Sequence, residues 1–164
     1  MPIPFLDLEN KIKGVIFGLF GSIIASVGVA LGVSVLTSRH ITILLAGLIV
    51  GLSSSYANSF GPLVSKSRLI TSQTYSKDDF IQSTASMILT FITISLPLVS
   101  YIVMKDLVIA RIISVMTGLV LLFIFGVHRA QLENESPLSY AFVISLIGAI
   151  VMAVCYIIPL YYIK

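Results

Sequence analysis

Charge is scarce in this chain. Of its 164 residues only 10% are Asp, Glu, Lys or Arg, where ordinary soluble domains carry about 25%. Hydrophobic residues make up 57% and the mean hydropathy is +1.07. That balance excludes a soluble globular class and is the composition of an integral membrane protein. Too little polar sequence remains for a separate soluble domain, so one domain over residues 1–164 is expected. Cysteine is nearly missing too. Cys155 stands alone inside an apolar segment, so an intramolecular disulfide is excluded and cysteine usage says nothing about compartment.

Other absences bear on chemistry. No acidic residue lies inside an apolar segment; Asp106 sits in a short connection. No Gly-rich phosphate loop occurs outside the apolar segments. The acids are in loops and the serines in spans, so no Ser/His/Asp set can be assembled, and neither enzyme activity nor a cofactor is expected. The net charge of +3 does not point to nucleic acid, because the basic residues are scattered singly between apolar segments, as topology signals are. The first thirteen residues mix Asp7 and Glu9 with Lys11 and Lys13. The apolar run after them is longer than a signal-peptide core, so no cleavable signal is expected.

What is there is length and apolarity. A helix needs ~20 apolar residues to cross the hydrocarbon core. Five segments qualify, at about 14–36, 41–64, 81–103, 107–128 and 139–163. They are apolar throughout rather than alternating with the period-two pattern of barrel strands, so the expected fold is all-α with five transmembrane helices. The one sizeable polar connection is 65–80, where Asp78 or Asp79 is expected to cap the third helix. Pro137 suits the first turn of the fifth helix, with Ser136 as its cap. Five spans put the termini on opposite sides. Lys11, Lys13, Lys66, Arg68, Lys77 and Arg129 fall on the N-terminal side, and Arg39, Lys105, Arg111 and Lys164 on the other. The bias favours a cytoplasmic N-terminus, with Arg111 snorkelling to the interface. Phe5, Leu6, Leu8 and Ile12 are spaced for a helix lying on the membrane surface.

Small residues recur at four-residue spacing. Gly14, Gly18, Ser22 and Ser26 form one row in the first span, Gly28 and Gly32 repeat it, and Gly47, Gly51 and Ser55 follow in the second. Such rows let helices approach closely in lipid, so helices one and two are expected at the crowded centre of the fold or of a dimer. The stretch "GLSSSYANSF" over 51–60 then puts four serines and Asn58 where the surroundings are apolar. Ser54 and Asn58 are four apart and share a face. Two readings stay open: hydrogen bonding to a neighbouring helix, or the lining of a pathway. Gly61-Pro62 is expected to break or bend this helix and free carbonyls near Asn58. His40 and His128 fall at opposite ends of their helices and form no common site. Met87, Met116 and Met152 read as core packing rather than thioether ligands. His128 with Arg129 reads as an interfacial anchor, and Glu133, Glu135, Asp78 and Asp79 as solvated loop charges.

In order along the chain stand "GLFGSIIASVGVALG", "AGLIVGLSSSYANS", "LTFITISLPLVSYIV" with Pro97, "LLFIFGVHRAQL" ending in Gly126 and Arg129, and "LIGAIVMAVCYII". Together these pieces resemble the vacuolar iron transporter family, five-helix proteins that move ferrous iron and related divalent metals. The resemblance spans nearly the whole chain and implies a homodimer with a pathway at a two-fold interface of first helices. Ser53 stands in the family's serine place. The departures fall on functional positions. Gly21 aligns with the family aspartate of the first helix and Ser22 with the glycine after it. Ser54 stands for the methionine, Ala57 for a glycine, Asn58 for the glutamate and Ser59 for the tyrosine. The glutamate-rich extension that some members place between helices two and three is also absent.

The resemblance therefore implies a membrane transporter of a cation, Fe2+, Mn2+ or another divalent metal, along a pathway lined by Gly21, Ser22, Ser53, Ser54 and Asn58. Ser54 and Asn58 are the candidate metal ligands. A divalent ion in a low-dielectric path ordinarily needs anionic ligands, and serine and asparagine oxygens are neutral. The alternative is a transport-inactive scaffold or partner subunit that keeps the fold. Expected partners are membrane lipid, a second copy of the chain and a cation.

Overall fold

A computed structural model describes residues 4–69, 77–133 and 135–162, with side chains at 16, 18–61, 77, 80–133 and 135–162. Five helices are long and apolar enough to cross a membrane, and no strand occurs among the described residues. The helices are α1 (Pro4–Leu36), α2 (His40–Leu69), α3 (Lys77–Leu98), α4 (Ser100–Val103), α5 (Leu107–Glu133) and α6 (Pro137–Tyr162). The third span, Phe80–Val103, takes in α3 from Phe80 onward and all of α4. It is interrupted after Pro97, where proline's missing N–H weakens the helix and the Ser100 hydroxyl donates to the Pro97 carbonyl at 2.9 Å.

Several local expectations are corrected. α2 is not broken at Gly61-Pro62 but runs on to Leu69. Because Pro62 has no N–H, the Asn58 carbonyl still lacks the donor that residue i+4 normally supplies. The N-terminal segment forms no separate surface helix; from Pro4 it is continuous with the first span. Lys77 is already helical, so Asp78 and Asp79 lie within the first turn of α3. Their side chains, like those of Phe5, Leu6, Leu8, Ile12 and Gly14, lie outside the described residues. Pro137 does open α6, and the Tyr140 N–H donates to the Ser136 carbonyl at 3.2 Å, as the first intrahelical bond from an N-cap residue does.

α1 is the hub. Its span is 56% buried, against 28% for α2, 39% for the third span, 22% for α5 and 17% for α6. The expected crowding therefore holds for α1, while α2 keeps an open flank. In lipid, helices gain little from apolar burial and associate by close packing instead, so the small residues decide who meets whom. Ile23, Val27, Ile94, Leu122 and Met152 form the main core cluster. Gly28 and Gly32 turn to α6: a Cβ on Gly28 would lie 2.9 Å from the Cys155 sulfur, and one on Gly32 3.1 Å from the Cys155 carbonyl oxygen. Gly47 and Gly51 receive Leu98 and Ile94 of α3. α5 buries Ala110, Ser114, Gly118, Leu122, Gly126 and Ala130, a four-residue stripe. Against it, a Cβ on Gly126 would meet the Ala141 backbone at 2.8 Å.

The remaining candidates take structural places. The His40 Nδ1 lies 3.0 Å from the Tyr101 carbonyl oxygen; a carbonyl only accepts, so this nitrogen carries the proton. Met152 is buried in the core and Met116 is 57% exposed, so the two do not line one pathway. Arg129 pairs with Glu133 at 3.0 Å.

Candidate functional site

Three of the five sequence-designated residues meet at the α1–α2 seam. The Ser22 hydroxyl donates to the Gly18 carbonyl at 2.8 Å. The Ser22 and Ser54 hydroxyl oxygens are 2.9 Å apart. The Asn58 Nδ2 donates to the Gly18 carbonyl at 2.9 Å and to the Ser22 hydroxyl at 3.0 Å, with a longer 3.4 Å approach to the Ser54 hydroxyl. The orientation of the amide follows from chemistry. A backbone carbonyl cannot donate, so the atom facing Gly18 is the nitrogen.

Proton counting then fixes the direction of every bond. Ser22 has one proton, and it goes to Gly18. Ser54 must therefore donate to Ser22, whose two lone pairs are filled by Ser54 and Asn58. Ser22 is 0% exposed and fully satisfied. Both amide protons of Asn58 point inward. What remains on the outer side is acceptors: Asn58 Oδ1, with no partner among the described residues, and lone pairs on Ser54. Asn58 is exposed and Ser54 half-buried.

Gly18 makes the arrangement possible. A Cβ there would lie 2.8 Å from the Asn58 Cβ and 3.3 Å from its Cγ. Without that atom, Asn58 lies against the α1 backbone. Ser26 adds a second tie across the seam, donating to the Gly47 carbonyl at 3.1 Å. The sequence marked Gly18 as a packing residue through its spacing. Nothing in the spacing showed that its carbonyl is the acceptor on which the cluster is built.

The other two designated residues lie apart. Gly21 is exposed, and a Cβ there would find nothing within 4 Å. Ser53 is exposed and its hydroxyl donates to the Ile49 carbonyl of its own helix at 2.9 Å. Ser59 donates across to Ser86 of α3 at 3.4 Å. Among the described residues no group of three His, Cys, Asp or Glu is placed to hold a metal ion. The cluster can offer a cation neutral oxygens and no charge.

A family model described as the VIT family matches residues 63–159, more than half of the chain. The chain belongs to this family, the vacuolar iron transporters, and its all-helical five-span architecture agrees. The family is one of membrane transporters rather than enzymes, and membership implies metal-ion transport across a membrane in general. The match begins after the polar cluster, so Gly21, Ser22, Ser53, Ser54 and Asn58 lie outside it. No curated protein and no solved structure matches the chain.

Proposed function

We propose that this protein carries a cation, Fe2+, Mn2+ or another divalent metal, along the open flank of α1 and α2, with Ser54 and Asn58 as its ligands. One observation carries the reading: the seam turns its donors inward and leaves the Asn58 Oδ1 and the Ser54 lone pairs facing out. Hard neutral oxygens suit a cation that keeps part of its water shell. Ser22 acts by orienting Ser54 and Asn58. Gly21 and Ser53 line the approach as small, exposed positions.

The same flank supports the reading of a homodimer. Gly21 and Gly61 are the described glycines whose added Cβ meets nothing within 4 Å. Gly61 is three residues from Asn58 and Gly21 three from Gly18, so both adjoin the cluster. Small outward residues in lipid are where a second helix approaches. Two copies apposed here enclose two sets of acceptors in one path. The charge bias of the connections supports a cytoplasmic N-terminus. The complete satisfaction of Ser22 favours the alternative of a transport-inactive scaffold, in which the seam is only helix packing.

Divalent-metal uptake into proteoliposomes separates the two. Wild type should take up iron, manganese or cobalt above empty liposomes, and Asn58→Leu and Ser54→Leu should each cut uptake at least tenfold. Uptake unchanged by both substitutions removes the seam from the pathway. No uptake by folded wild-type protein leaves the scaffold.

A further inference from the structure

The C-terminal end of α1 holds a second polar feature, unrelated to the cation flank. Arg111 is the fifth residue of α5, about 6 Å inside the start of that membrane-spanning helix. It is half-buried. Its Nε donates to the Ser34 hydroxyl at 2.8 Å and its Nη2 to the Ser34 carbonyl. That carbonyl is among the last four of α1, which have no intrahelical donor. The guanidinium carbon lies 5.8 Å from the centre of the Tyr156 ring on α6.

These contacts use two of the five guanidinium N–H groups. No carboxylate among the described residues lies within ion-pair distance. The nearest acid in sequence, Asp106, accepts the Val108 N–H at 2.7 Å and caps its own helix. The charge is thus held in place by neutral groups, with donors to spare. A cation without a counter-charge at this depth is costly.

Beside it is a crevice of about 400 Å3 between α1, α5 and α6, within the ~300–1,000 Å3 range of small-molecule sites. Arg111 and Tyr156 stand at one end. Leu31, Ile112, Met152 and Ala153 form its apolar wall. Ala149, also on the wall, is seven residues before Tyr156 and so lies about 10 Å deeper. A cationic head with a greasy slot beneath it is the complement of one molecule: an amphiphile with an anionic head and a hydrocarbon chain.

We propose that this crevice is a binding site for an anionic membrane lipid, its phosphate on the spare Arg111 N–H groups and one acyl chain along the exposed Val108, Ile112 and Ala153. The bilayer supplies such a ligand directly, and a bound chain covers apolar wall that a free anion leaves bare. Losing the charge-assisted bonds should weaken the site about tenfold or more.

The test uses the full chain purified in detergent. Native mass spectrometry counts bound lipid, and thermal unfolding is followed with added phosphatidylglycerol, phosphatidylcholine or inorganic phosphate. Phosphatidylglycerol should remain bound at about one per chain and raise the unfolding midpoint, while phosphatidylcholine and phosphate do neither. Arg111→Gln should abolish both effects. Ala153→Phe, which fills the slot from an exposed position and leaves the Arg111–Ser34 bonds intact, should abolish lipid retention as well. An equal response to phosphatidylcholine, an equal response to phosphate alone, or full phosphatidylglycerol retention in Ala153→Phe would overturn the proposal. If Arg111→Gln does not fold, the lipid comparison and Ala153→Phe decide.

Discussion

The two ends of the α1 membrane span, Gly18–Leu36, solve opposite hydrogen-bond problems. Near Gly18 and Ser22 the protein consumes donors: both Asn58 amide protons and both serine protons are used within the seam, and acceptors are left over. Near Ser34 it consumes acceptors: the carbonyl and hydroxyl oxygens take up Arg111, and donors are left over. Spare oxygen invites a cation and spare N–H invites an anion. The same helix thus presents opposite polarity to the two membrane surfaces, using one formal charge. Neutral groups can settle their accounts inside the protein, whereas a charge reaches outward for its partner.

The sharpest way to break the comparison is at Gly18. Gly18→Val places a Cβ 2.8 Å from the Asn58 Cβ, and its branches then lie closer still. Overpacking of this kind costs ~1–3 kcal/mol, and separating the seam also removes the Asn58 bonds. The expected result is the largest loss of stability of the substitutions considered at either end of α1, together with loss of metal uptake. Unfolding in mixed micelles measures the first and proteoliposomes the second. Gly21→Ala, three residues away and with nothing within 4 Å of the new Cβ, is the control and should leave monomer stability within about 0.5 kcal/mol. A Gly18→Val protein as stable as wild type would mean that the seam does not hold α1 to α2.

The spans were legible because a single variable governs them: a helix must be long and apolar enough to cross the bilayer. Glycine spacing was legible as a reason for close approach, but not the direction of approach. Gly28 and Gly32 read as points of close approach with no partner specified, and the partner they receive is Cys155 of α6. Direction depends on how α1 is rotated, and that is fixed by all its neighbours together. The α5 stripe from Ala110 to Ala130 has the same four-residue period and could have been found by the same count. Arg111 reads as a snorkelling side chain from its place in the helix. Its partner, Ser34, is 77 residues away, and only the fold brings them together. Ser54 and Asn58 pair through their helical spacing, while Ser53, next in sequence, enters by resemblance and bonds only to the Ile49 carbonyl of its own helix.

A smaller effect is expected from Gly21→Leu. Inside one chain the new side chain meets open space, so folding should be little changed. If two copies meet at this flank, a leucine keeps their backbones apart, and dimer formation should weaken about tenfold, near 1.4 kcal/mol. Cross-linking or mass photometry in detergent over a range of protein concentrations reads the change. A dimer population equal to wild type would place the contact between copies elsewhere. The flank would then be open to lipid or water along its whole length.

The smallest effect belongs to the charged end, and it sharpens the contrast. Ser34→Ala removes the hydroxyl that accepts from Arg111 Nε and leaves the backbone carbonyl in place. Hydrogen bonds between membrane helices contribute about 0.6 kcal/mol on average and at most ~1.7 kcal/mol, so a loss of roughly 1 kcal/mol is expected in neutral detergent. The freed N–H has an alternative partner only if an anion is present. In phosphatidylglycerol-containing micelles the loss should therefore shrink, because a lipid phosphate accepts the bond that the serine gave up. At the opposite end of the helix, Ser22→Ala removes an acceptor of Ser54 and Asn58, and no anion can replace it. Its cost should be the same in both micelles. Equal lipid dependence for the two serines would mean that the spare donors of Arg111 are not what separates the two ends of α1.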